Sequence, residues 1–132
     1  MSAYSRSSSL AAYQSVAAHG GVAAANSHGL ITMLMDGALQ RLSAARGAIE
    51  HGATESKSRL IHKVVEIIDE LRASLNFEAG GQIAANMAEL YDYSSRLLMR
   101  ASLENRTDLL DEASHLLREI RSAWIQIPAR RM

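Results

Sequence analysis

Glu112-Ala-Ser-His115 is the chain's one Glu-x-x-His spacing. Bundles that hold two metal ions repeat this pattern on two helices and add two further Glu residues. No second pair is present here, and both residues fall outside the apolar arc of the helix that would carry them. Glu66, Asp69 and Glu70 form a cluster of the residue type used in acid–base catalysis. On a helical wheel they share a polar face, where carboxylates are ordinarily solvated. The other histidines, His19, His28, His51 and His62, form neither His-x-x-x-His nor His-Glu-x-x-His. His28 and His51 fall near expected helix ends, where local capping or solvation accounts for them. Gly80-Gly81 before a helical pattern has the look of an anion site at a helix N-terminus. The phosphate-loop Lys and spacing are missing, so a turn with positive φ, or close packing, is the simpler reading. No Ser stands in Gly-x-Ser-x-Gly, and the absence of Cys removes thiol nucleophiles and disulfides. These residues point to a protein with no catalytic group, no metal and no cofactor.

The elements that hold these residues follow from composition. Of 132 residues 48% are apolar, yet only one is Trp, one Phe and one Pro. Few β-branched runs and few turn dipeptides argue for helices. Fourteen Lys and Arg balance fourteen Asp and Glu, so nothing in the bulk charge draws the chain to nucleic acid or an acidic membrane. Arg96, Arg100, Arg118 and Arg121 are interspersed with acids, and Arg130-Arg131 is too short for a basic patch. No apolar run reaches the roughly 18 residues of a membrane span, and the N-terminal stretch lacks a signal peptide's apolar segment. The expectation is a cytoplasmic protein that does not insert into membranes.

Four periodic segments predict an all-α fold, an antiparallel up-down four-helix bundle over residues 26–128 with a short N-terminal helix or cap. The first helix is expected from Asn26 or Ser27 to His51-Gly52, and its apolar residues cover about two thirds of the wheel. The second, capped by Thr54 or Ser56, has a core line Leu60, Val64, Ile67, Leu71 and Leu75, with Ile61, Val65 and Ile68 beside it. The third starts at the Gly pair with a core line Ile83, Met87, Leu90, Leu97 and Ala101. The fourth, capped by Thr107, has a seam Leu110, Ala113, Leu117, Ile120, Trp124 and Ile127, and Pro128 stops it. Residues 1–25 read as a flexible arm in which 9–16 form a short helix with Leu10, Tyr13 and Val16 on one face, and 129–132 as a tail.

The helices carry more apolar surface than a four-helix core uses. It serves a docked arm, self-association or a groove for amphipathic segments of another chain, with Met33, Met35, Met87 and Met99 adaptable.

The chain also resembles the flagellin-specific export chaperones of the FliS family. The resemblance runs from about Tyr13 to Ile127. It rests on Tyr13-Gln14 with Val16, Leu30-Ile-Thr-Met-Leu-Met-Asp-Gly-Ala-Leu39, Ile67-Ile-Asp-Glu-Leu71, Ser74-Leu-Asn76, Gly80-Gly-Gln-Ile-Ala-Ala-Asn86, Leu90-Tyr-Asp92 and Ala123-Trp124. Two departures stand out. The family's Leu-Tyr-Asp-Gly reads Leu34-Met-Asp-Gly37, and the Pro that usually opens the first helix is missing from Ala23-Ala-Ala-Asn-Ser-His28. The resemblance implies a non-enzymatic cytoplasmic chaperone that binds the disordered C-terminal segment of flagellin, blocks premature polymerisation and keeps it fit for flagellar type III export. It implies flagellin and the export gate protein as partners of a monomer or weak dimer. The contacts expected for flagellin are Ile31, Met33, Met35, Ile61, Val65, Ile68, Tyr91 and Tyr93, with Leu10, Tyr13 and Val16 as an N-terminal cap over part of the groove.

Overall fold

The computed structural model describes residues 23–127. They form four helices: α1 (Ala23–Glu50), α2 (Thr54–Ala73), α3 (Phe77–Glu104) and α4 (Thr107–Ile125). Each helix packs against its two neighbours in cyclic order, α1 with α2 and α4, and α3 with α2 and α4. Cross-bonds fix the antiparallel sense. Arg46 near the end of α1 meets Asp111 near the start of α4, and Lys57 near the start of α2 meets Asn105 just beyond α3. The core contains Met35, Leu42, Ile61, Leu71, Leu98 and Leu117. The all-α bundle expected from the periodicity is the observed fold.

The ends of the helices differ from expectation in instructive ways. Helix α1 begins at Ala23, so Asn26 and Ser27 lie within it instead of capping it. Alanine's helix propensity carries the extra residues. It stops at Gly52, where φ is +69° and the Ala53 N–H donates to the Ala48 carbonyl at 2.8 Å. That tight turn makes Ala53 the N-cap of α2, without a side-chain cap, so neither Thr54 nor Ser56 plays the expected part. Helix α3 starts before the Gly pair: the Asn76 side chain accepts from the Ala79 N–H at 2.9 Å, one turn forms, and Gly81 then breaks the helical path with φ +51° and ψ −126°. A left-handed φ favours glycine because a Cβ is strained there. Gly80 serves closeness instead, since a Cβ on it would sit 2.9 Å from that of Ala84. At the far end Asn105 takes φ +53°, and Arg106, not Thr107, occupies the N-cap of α4.

The buried face of α3 is the largest revision. It consists of Ala84, Ala88, Tyr91, Ser94, Leu97, Leu98 and Ala101. Of the expected core line, Ile83 is 75% exposed and Leu90 lies at the surface, while Leu97 and Ala101 are interior. Small side chains admit close helix approach, and α3 turns its Ala and Ser positions inward for that reason. Ser94 is fully buried and its hydroxyl has no hydrogen-bond partner. An unsatisfied buried hydroxyl costs about 1–3 kcal/mol. Ser94→Ala is therefore expected to raise stability by about 1 kcal/mol, read as a higher urea midpoint with an unchanged slope.

Lys57 is buried, and its ammonium donates to the Ser102 carbonyl and to Asn105 Oδ1, both at 2.8 Å. A cation at the C-terminal carbonyls of α3 is favoured by the helix dipole. The Lys57→Met variant keeps the stem and removes the charge. Because Asn105 is exposed and regains water, the expected loss is about 1–2 kcal/mol, measured by the same titration.

Candidate functional site

Helices α2 and α4 have 20 and 19 residues against 28 for each of α1 and α3, so among the described residues α1 and α3 extend beyond both at one end of the bundle. Arg72, one residue from the end of α2, is paired with Asp92 at 2.8 Å. The part of α3 before that level runs past the end of α2. Side chains that would be interior in a full bundle are only partly covered there: Ile31, Leu75, Met87 and Trp124. Phe77, Ile83 and Ile127 extend this apolar surface into solvent.

Across the open end α1 and α4 are latched. A His28 ring nitrogen donates to the Trp124 carbonyl at 3.0 Å, and the Trp124 indole N–H donates to the His28 carbonyl at 3.2 Å. The two rings stack with centroids 4.6 Å apart. Local capping does not account for His28 after all: its partner lies 96 residues away.

Two further apolar strips lie along the sides. Met99 and Leu103, four residues apart on α3, are exposed, and Val65 of α2 is half-buried. Leu90 and Tyr93 border a cavity of about 500 Å³ lined, among the described residues, also by Asn86, Glu89, Asp92 and Arg96. The Tyr93 hydroxyl donates to Glu112, which raises its pKa above the ordinary phenol value, and Arg96 lies 5.8 Å from its ring. Asn86 accepts from Gln82 at 2.9 Å, and Asp36 is paired with Arg121.

The eight residues expected to touch a partner divide evenly. Met33 and Tyr93 are exposed, and Ile31 and Val65 are half-buried. Met35, Ile61, Ile68 and Tyr91 are interior in the free chain. The second apolar line of α2 faces inward because the helix packs on two neighbours at once. Leu10, Tyr13 and Val16 lie outside the described residues. Phe77, Ile83, Leu90 and Leu103 were not singled out as contacts, and Met99 was named only as an adaptable groove residue; the mismatch between α2 and α3 in length was the signal that would have found the first two.

The groups weighed for chemistry are dispersed or engaged. Glu112 accepts from Tyr93, and His115 faces Glu119 at 3.5 Å. Glu66, expected on the solvated face, has a side chain only 15% exposed and lies 3.8 Å from the Lys63 ammonium. Among the described residues no group of three or more His, Asp or Glu could hold a metal ion, and no helix is long and apolar enough to cross a membrane.

Among the described residues, the fold is an all-α bundle with a partly covered apolar end. A family profile described as "Flagellar protein FliS" matches residues 9–131. The flagellar secretion chaperone FliSB of Pseudomonas aeruginosa is 46% identical over 112 residues, 85% of this chain and 89% of that protein. The flagellar secretion chaperones FliS of Salmonella typhimurium (42% over 121 residues, 91% of this chain and 90% of that protein) and Vibrio cholerae (38% over 120, 91% and 88%) are also similar. The chain belongs to the FliS family of flagellar secretion chaperones.

Proposed function

We propose that this chain is a cytoplasmic chaperone of flagellin. It binds the disordered C-terminal segment of flagellin, blocks premature polymerisation and delivers the subunit to the flagellar type III export gate protein, without catalysis. The observation that carries the reading is the open end of the bundle, where Ile31, Met87 and Trp124 stay partly uncovered in a member of a secretion-chaperone family. A disordered partner loses entropy on ordering, so it needs a large apolar contact. The open end, the Met99–Leu103 strip and the Leu90–Tyr93 patch together offer one that wraps around the bundle. The contact set is Ile31, Met33, Val65 and Tyr93 from the sequence reading, joined by Ile83, Leu90 and Met99. We also propose that Leu10, Tyr13 and Val16, which lie outside the described residues, act as a cap over part of the groove that cargo displaces. The protein is a monomer or weak dimer, since an obligate dimer would consume the same surface.

Calorimetric titration with the C-terminal segment of flagellin from the same organism tests this, with a scrambled segment of equal composition as control. The expected result is saturable one-to-one binding with a negative heat-capacity change from buried apolar area. Folded, monomeric protein that does not bind would overturn the reading. Amide exchange in the arm that stays the same when cargo binds would overturn the displacement.

A further inference from the structure

Trp124 is the one Trp of the chain, and His28 of α1 answers both its indole N–H and its carbonyl. That carbonyl lies in the last turn of α4, and the residue four places on is Pro128, which has no N–H to offer. It accepts instead from the Ile127 N–H and from His28 Nε2, both at 3.0 Å. A carbonyl only accepts, so the imidazole carries a hydrogen on Nε2. In return the indole N–H donates to the His28 carbonyl at 3.2 Å, and the same carbonyl receives the Thr32 hydroxyl at 3.1 Å. The two rings are 4.6 Å apart and 12° from parallel. Two opposed hydrogen bonds and a stack leave the indole one orientation. Packing alone does not require this, since an aliphatic side chain at 124 would have no N–H to satisfy.

We propose that His28 is a positioning residue for cargo binding: before cargo arrives, it holds the Trp124 indole in the orientation that cargo meets at the open end. The proposal rests on the cargo reading above and adds a residue that acts through Trp124. Side chains without such restraint change rotamer in picoseconds to nanoseconds. A partner that binds a free indole has to order it, and the lost rotamer freedom subtracts from affinity. The stack and the paired hydrogen bonds make that loss during folding, so binding is spared it. Half-buried Trp124 keeps part of its surface uncovered beside Ile31 and Met87, where a partner can reach it.

The test compares the wild-type chain with His28→Ala, His28→Phe, Trp124→Phe and the double variant His28→Ala with Trp124→Phe. Leu109→Val, an interior truncation at the opposite end of α4, controls for lost stability. Two quantities are read: the fluorescence anisotropy of Trp124, which no other Trp obscures, and the calorimetric affinity for the flagellin C-terminal segment. The expected result is that His28→Ala lowers the anisotropy and weakens binding about two- to tenfold, the effect of ordering one side chain. His28→Phe keeps a stacking ring without the N–H and should fall between. Added to Trp124→Phe, His28→Ala should weaken binding no further. Leu109→Val should match the wild type. Unchanged anisotropy in His28→Ala, or lowered anisotropy with wild-type affinity, overturns the proposal and leaves the cargo reading standing. A further loss on top of Trp124→Phe, or an equal loss in Leu109→Val, does the same. Absence of binding by the folded wild-type chain overturns both.

Discussion

Ile68→Ala is expected to lower the unfolding free energy of the free chain by about 2–5 kcal/mol, the usual cost of emptying a buried aliphatic site that collapses only in part. Ile68 is 1% exposed and belongs to the central cluster with Leu71, Leu98 and Leu117. The measurement is the urea midpoint, and the comparison that gives it meaning is Met33→Ala. Met33 is 49% exposed, so its truncation should change stability by no more than about 0.5 kcal/mol. The pair separates two roles that share one hydrophobic signature: an interior residue lowers stability without cargo present, whereas a contact residue lowers cargo affinity in a stable chain. An Ile68→Ala chain with an unchanged midpoint would return Ile68 to the surface.

Alkaline pH should destabilise the protein through Tyr91. Burial pushes the Tyr91 phenol from its ordinary value of 10.0 up to about 12. The unfolded chain releases this proton near pH 10, while the folded chain holds it to about 12. Between those values the folded state binds more protons, so stability falls as pH rises. The contribution is fully present below pH 10 and is lost as pH passes about 12. Two pH units amount to about 2.7 kcal/mol. Denaturant titrations across that window should show the decline in the wild type and a shallower one in Tyr91→Phe, which keeps the ring and lacks the ionisable group. Equal slopes in the two proteins would mean that the phenol is not buried in its neutral form.

Helix existence was readable because apolar spacing of three and four residues is a local property of the chain. Leu110, Ala113, Leu117 and Ile120 were expected on one seam of the fourth helix, and all four are interior. The break at Gly80-Gly81 was also expected for a backbone reason, and Gly81 does take positive φ. Caps were less legible. Thr54 and Thr107 are good capping residues by type, but tight αL turns at Gly52 and Asn105 place Ala53 and Arg106 at the N-caps instead.

The amino-acid sequence by itself determined the fold class, the four helices of the described residues and, through its family motifs, the kind of protein this is. Only the tertiary structure decided which apolar residues face inward. On α3 the large residues Ile83 and Leu90 ranked as core by hydrophobicity, yet Ala84, Ala88 and Ser94 are buried. On α2 a line of aliphatic residues looked spare until a second neighbouring helix covered Ile61 and Ile68. Periodicity reports that a face is apolar; it carries no information on how many neighbours that face meets. That number depends on relative helix length and register. Here α2 and α4 are both shorter than α1 and α3, and Ile31, Met87 and Trp124 are only partly covered among the described residues.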